Sequence, residues 1–119
     1  MKIESYKNLI VWQKALELVF LIYELTENFP KEEIYGLSSQ MKRAAISIPS
    51  NIAEGSRRSS RKDFRNFLLN AYGSGSELET QIEIAKRLKF GKEEIHSKID
   101  TTLSEILRRL NTLTNNLNL

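Results

Sequence analysis

The sequence of 119 residues contains no cysteine, one histidine, one tryptophan and two prolines. Without cysteine the chain has neither disulfides nor thiolate chemistry, which suits a reducing cytoplasm, where we expect the protein to act. Long apolar runs are absent as well. The most apolar stretch, Leu9–Leu25, is interrupted by Gln13, Lys14, Glu17 and Glu24. It is therefore too short and too charged to span a bilayer, and we expect no membrane association.

Features of catalytic and metal sites are equally scarce. His96 follows Glu93 with the Glu-x-x-His spacing of di-iron helical bundles, but such sites need a second copy of the motif and further inward-facing carboxylates. Neither a phosphate-binding Gly-x-x-x-x-Gly-Lys loop nor a nucleophile-elbow motif is present. We therefore predict no cofactor, no metal and no enzyme activity, with a metal-dependent nuclease as an alternative.

Apolar spacing typical of helices, in contrast, is abundant. The clearest pattern follows Ser60, which can cap a helix, and has seven residues per two turns: Phe64, Leu68, Ala71, Gly75, Leu78, Ile82 and Ala85. Similar spacing elsewhere predicts four helices in all, within Leu9–Asn28, Leu37–Glu54, Ser60–Lys89 and Lys92–Leu117. Short turns separate them. The predicted fold is all-α, an antiparallel up-down-up-down four-helix bundle in one domain, residues 1–119.

Small residues within the third helix leave two interpretations open. Gly73 to Ser76 either break the helix or let it approach the small residues of helix 2 closely. We favour a continuous helix, because the seven-residue pattern passes through this stretch without a phase shift.

Helix 1 has more apolar residues than a single packing face requires. One stripe comprises Leu9, Trp12, Leu16, Val19 and Tyr23. A second apolar surface comprises Val11, Leu18, Phe20, Leu21, Ile22 and Leu25. A helix that is apolar around most of its circumference is buried on two sides, so we predict that the second surface is an oligomer interface and that the chain is a homo-oligomer. The alternative is a bundle that is simply wide at this end.

Positive charge concentrates at the turn between helices 2 and 3. The net charge is only +3, but one segment contains what we call the basic cluster: Arg57, Arg58, Arg61, Lys62 and Arg65. In the predicted topology both chain termini share this end, which adds Lys2, Lys7 and the acidic Glu4 to the acidic Glu54 and Asp63 that flank the cluster. We interpret the cluster as a surface for the phosphates of an RNA or DNA backbone. The alternatives are a solvated polar turn, and an oligomeric scaffold that recruits a protein partner without binding nucleic acid.

Polar residues at helical spacing on helices 2 and 3 form a further group: Arg43, Asn51, Glu54 and Glu77. Arg43 and Glu77 can form a buried or interfacial pair that fixes the register of helices or subunits. The alternative, paired carboxylates that hydrolyse a phosphodiester with a metal, requires groups that converge in a cleft. We favour the structural role.

Several runs of the sequence resemble one bacterial family. They are Leu9-x-Val11-Trp12-x-x-Ala15, Thr26-x-x-Phe29-Pro30, Gly36-Leu37-x-x-Gln40, Arg43-Ala44-Ala45-x-Ser47-Ile48-Pro49-x-Asn51-Ile52-Ala53-Glu54-Gly55 and Ala71-x-Gly73-Ser74-x-x-Glu77-Leu78-Glu79. The family comprises four-helix-bundle proteins encoded in intervening sequences of 23S rRNA genes, often labelled S23 ribosomal protein. It is related to the accessory variability proteins of diversity-generating retroelements.

The resemblance implies a homopentameric ring of bundles and a basic surface that binds nucleic acid and a reverse transcriptase. Carried over to this chain, that surface would be the basic cluster. The expected function is therefore that of a non-enzymatic RNA or reverse-transcriptase accessory factor.

Overall fold

A computed structural model describes residues 5–117 and contains four long helices. They are α1 (Ile10–Thr26), α2 (Leu37–Ser56), α3 (Arg61–Arg87) and α4 (Glu93–Asn116), with short 3-10 turns at Tyr6–Asn8 and Lys31–Glu33. Helices α1 and α3 each pack against both α2 and α4, in a body of 44 × 24 × 21 Å. The predicted all-α four-helix bundle is confirmed, with the helix ends within two residues of those predicted. Lys2 and Glu4, which we assigned to the basic end, lie outside the described residues.

The core of the bundle follows the seven-residue patterns of the sequence. Every residue of the pattern predicted for α3 is buried, and α3 runs without a break through Gly73 and Ser76. The helix begins where the sequence indicated, because the Ser60 hydroxyl accepts a hydrogen bond of 3.1 Å from the Asp63 backbone N–H. A continuous α3 is therefore confirmed.

The packing of α1 reverses the prediction for its two apolar surfaces. Four of the six residues assigned to an oligomer interface are fully or almost fully buried in the core of the single chain: Val11, Leu18, Ile22 and Leu25. Together with the buried Ala15 they complete a seven-residue repeat, which is why this surface faces α2 and α4. These four side chains cannot contact another subunit, and that part of the prediction is wrong. Of the six, Phe20 is 70% exposed and Leu21 partly buried.

The glycines of the bundle fall into two kinds. A methyl group placed on Gly55 would lie 2.6 Å from Cβ of Phe67, so α2 and α3 approach closely at this point. A methyl group on Gly73 would meet no atom within 4 Å. Gly73 therefore faces solvent, against the prediction that it faces helix 2. Ser74, its neighbour, does face α2, since its hydroxyl lies 2.9 Å from that of Ser47.

Alanine substitutions at Gly55 and Gly73 should have opposite effects on stability. Gly55→Ala crowds Cβ of Phe67, which no side-chain rotation can move, and should lower the free energy of unfolding by about 1–3 kcal/mol. Gly73→Ala adds helix propensity in open space and should raise it by about 0.5–1 kcal/mol. Urea unfolding at one fixed protein concentration measures both. A loss of stability in Gly73→Ala would contradict the open environment of this residue.

Candidate nucleic-acid interface

The basic cluster lies where α2 ends and α3 begins. Arg57 and Arg58 follow α2, while Arg61, Lys62 and Arg65 belong to the first turns of α3. All except the half-buried Arg65 are exposed. The unpaired backbone N–H groups and the positive end of the α3 dipole point toward the same region. The geometry therefore concentrates positive potential on an exposed surface, in which Glu54 and Asp63 are the neighbouring acidic residues.

Arg57 is held by the N-terminal segment. Its guanidinium carbon lies 5.4 Å from the centre of the Tyr6 ring, within the range of cation–π attraction. Tyr6 in turn meets Trp12 of α1 edge to face, with ring centres 5.2 Å apart. The N-terminal segment around Tyr6 and the turn after α2 are thus at the same end of the bundle, as the predicted topology requires.

Arg58 has two partners. Its Nη2 atom lies 2.7 Å from Oε2 of Glu54, one helical turn earlier, and its guanidinium lies 4.8 Å from the centre of the Phe67 ring on α3. Phe67 occupies this position because Gly55 leaves room for its Cβ. Arg58 therefore connects α2 to α3 while its side chain stays 45% exposed.

The remaining basic residues have fewer partners. Within residues 5–117, Arg61 and Lys62 form no ion pair, and the buried Nε of Arg65 has no hydrogen-bond partner. Asp63, the one acidic residue among them, is exposed and lies in the first turn of α3. Arg61 and Lys62 are thus the side chains most available to an external anion.

Two further arginines at this end were missed by the sequence analysis. Arg108 and Arg109 of α4 line an open groove of about 550 Å³ together with Asn8 and Leu9 of the N-terminal segment. Their signal was available: the pair is adjacent in sequence, and the predicted topology returns the C-terminal part of helix 4 to this end.

Arg109 and Arg108 differ in whether an acidic side chain pairs with them. Arg109 Nε donates a hydrogen bond of 2.8 Å to Glu105, and this bond lowers the pKa of the Glu105 carboxyl, with Lys14 contributing from α1. No ion pair involves Arg108 among residues 5–117, and its side chain is exposed. Arg108 therefore leaves a positive charge available in the groove beside the N-terminal segment.

The polar residues assigned to structural roles separate into two groups. Asn51 donates to the backbone oxygen and hydroxyl of Ser47 at 2.8 and 2.9 Å, and Ser47 contacts Ser74 across the α2–α3 seam. Arg43 and Glu77 are both exposed and form no pair with each other in the described part of the chain. A buried Arg43–Glu77 pair within the chain is therefore wrong. An interfacial pair stays a prediction.

The isolated histidine has a structural contact. His96 is buried, and its Nε2 lies 2.9 Å from the Phe90 carbonyl oxygen, to which it donates because a carbonyl only accepts. It thereby fastens the α3–α4 turn, where Lys89 and Gly91 have φ angles of 61° and 86°. Among residues 5–117, no three His, Asp or Glu side chains come together as metal ligands. No helix in that range is long and apolar enough to cross a membrane.

Comparisons with known proteins agree with the fold. The profile of the 23S rRNA-intervening sequence protein family matches residues 7–112. A crystal structure of a protein of unknown function from the S23 ribosomal protein family of Bacteroides thetaiotaomicron superposes with a TM-score of 0.79 and 28% sequence identity. The match covers 89% of this chain and 96% of that chain. No curated protein matches the chain significantly.

Removing the cap of α3 should loosen the helix start that carries Arg61, Lys62 and Arg65. We expect Ser60→Ala to lower the free energy of unfolding by about 0.5–2 kcal/mol, because one backbone N–H loses its acceptor. Ser59→Ala is the matched control, since Ser59 is exposed and caps no helix. Thermal unfolding followed by circular dichroism compares the two variants, and equal effects would contradict the capping role.

Proposed function

Because the chain belongs to the 23S rRNA-intervening sequence protein family, whose name gives no activity, we propose a function from the chain's own surface. The protein is a non-enzymatic, oligomeric nucleic-acid-binding protein that holds the phosphate backbone of RNA or DNA on the basic cluster. Its role is that of an RNA or reverse-transcriptase accessory factor.

The observation that carries this proposal is the free charge of Arg61 and Lys62. Both stand exposed at the start of α3 without an ion pair in the described part of the chain, beside two anchored arginines. Lys and Arg that meet phosphates release condensed counterions, so a cluster of this kind binds polyanions without reading bases. Arg108 adds a further unpaired positive charge on α4, in the groove beside the N-terminal segment.

Assembly into a homo-oligomer, a pentameric ring by family resemblance, strengthens the proposal. Each copy would repeat the basic cluster, and multivalency raises a weak affinity per site considerably. Exposed apolar side chains support association: Phe20 is 70% exposed on α1, and Leu69, Tyr72 and Ile84 are exposed along α3.

The same exposed apolar residues favour a second candidate function, a scaffold that recruits a protein partner and does not touch nucleic acid. A reverse transcriptase is one such partner by family resemblance. The two candidates differ in their response to salt, because only phosphate binding must weaken steeply as salt concentration rises.

Reversing the free charges should separate the candidates. We expect a variant combining Arg61→Glu and Lys62→Glu to bind a fluorescent 20-nucleotide RNA at least tenfold more weakly. The slope of log Kd against log salt should fall by about one for each phosphate that the variant no longer neutralises. The control combines Arg87→Glu and Lys89→Glu, an equal change in charge about 40 Å away at the other end of α3.

Nucleic-acid binding is contradicted if the wild-type protein leaves the RNA free at low salt. The basic cluster as its site is contradicted if both double variants weaken binding equally. We expect the RNA to stay intact when the same protein is incubated with it in the presence of magnesium or manganese. Degradation of the RNA would favour the alternative of a metal-dependent nuclease.

The proposed assembly has its own test. Sedimentation of the wild-type protein at micromolar concentration should give a mass of several chains, and Phe20→Glu should shift it toward a single chain. Phe20 is the most exposed apolar residue of α1, so the fold itself should tolerate the change. Gln13→Glu adds the same charge at another exposed position of α1 and should leave the mass unchanged. Wild-type protein that sediments as one chain overturns the oligomer.

A further inference from the structure

Two of the five residues in the basic cluster make cation–π contacts with aromatic rings. Arg57 lies over Tyr6 and Arg58 over Phe67, at 5.4 and 4.8 Å from the ring centres. On the basis of the function proposed above, we propose that these two pairs are stacking platforms for unpaired nucleobases. The ligand of this site is then single-stranded RNA or DNA, not a duplex.

The chemistry of a guanidinium group supports this assignment. The group is planar, and when one face rests on an aromatic ring the opposite face can receive a nucleobase. Arg57 is exposed and the side chain of Arg58 is 45% exposed, so both groups remain accessible from solvent. Bases inside a duplex are stacked on each other and present only their edges, whereas a single strand can turn its bases onto such surfaces.

Both platforms are fixed by contacts that phosphate binding alone does not require. Tyr6 is held by the edge-to-face contact with Trp12, and Phe67 is seated against Gly55. Glu54 holds Arg58 by a charged hydrogen bond of 2.7 Å, which restricts the guanidinium to its position over Phe67. Binding of phosphates as point charges does not require such restriction, because flexible lysines also provide such binding.

The two platforms and the free charges have complementary roles. Arg61 and Lys62 lie directly after the platforms, at the start of α3, and bear no aromatic contact within the described residues. A strand that crosses this end can therefore place phosphates on Arg61 and Lys62 while neighbouring bases stack on Arg57 and Arg58. Stacking of this kind tolerates any base, so we expect little sequence preference.

The test replaces the planar groups and keeps their charge. A variant combining Arg57→Lys and Arg58→Lys is compared with the wild-type chain, and Arg61→Lys is the matched control. Each protein is titrated into a labelled 12-nucleotide single strand and into the duplex of the same sequence. We expect the wild type to prefer the single strand, and the double variant to bind the single strand at least tenfold more weakly, as loss of both stacked bases predicts. Duplex affinity should change less than about twofold, because phosphate contacts keep their charge.

A second measurement uses only the wild-type protein, so its result does not depend on whether the variants fold. A strand containing 2-aminopurine should change its fluorescence on binding if its base leaves the neighbouring bases and stacks on an arginine, while binding through phosphates leaves the emission unchanged. Unchanged emission at saturation, or an equal loss of single-strand and duplex affinity in the double variant, overturns the stacking platforms and leaves phosphate binding intact. Absence of binding to either nucleic acid overturns both this inference and the proposed function.

Discussion

The close approach of α2 and α3 at Gly55 is the contact on which the charged end depends. Only a residue without a Cβ leaves room for Phe67, whose Cβ would otherwise collide with the helix opposite. The position of Phe67 then determines where Arg58 can rest, and the α2–α3 turn brings the rest of the cluster beside it. Packing in the interior thus fixes the arrangement of charges on the surface.

Like charges placed so close together repel one another, and the bundle offsets this repulsion in several ways. Glu54 and Asp63 supply negative charge within the cluster, and two arginines are attracted by aromatic faces. Exposure to water screens the remaining repulsion. At the same end Glu105 neutralises Arg109 but leaves Arg108 available. The result is a surface that keeps net positive charge, although Arg61 and Lys62 lie at the positive end of the α3 dipole.

The sequence predicts the four helices well because one physical rule, burial of a repeating apolar face, determines both the helix and its packing. The rule fails where a helix has two apolar faces. On α1 it could not tell which face meets the core, and Ala15, which belongs to neither of the two predicted apolar surfaces, is the residue that completes the buried repeat. Gly73 was misplaced because smallness alone does not indicate direction. Arg108 could have been found from the predicted topology, whereas the two arginine–aromatic pairs depend on side-chain positions that the apolar pattern does not indicate.

The contact between Trp12 and Tyr6 has a practical consequence. The chain has one tryptophan, and it lies against the ring that supports Arg57. Indole emission is sensitive to its immediate surroundings, and in this protein those surroundings are the charged end of the bundle. The single tryptophan therefore provides an intrinsic fluorescence signal next to the basic cluster, and binding there can be followed without attaching a dye.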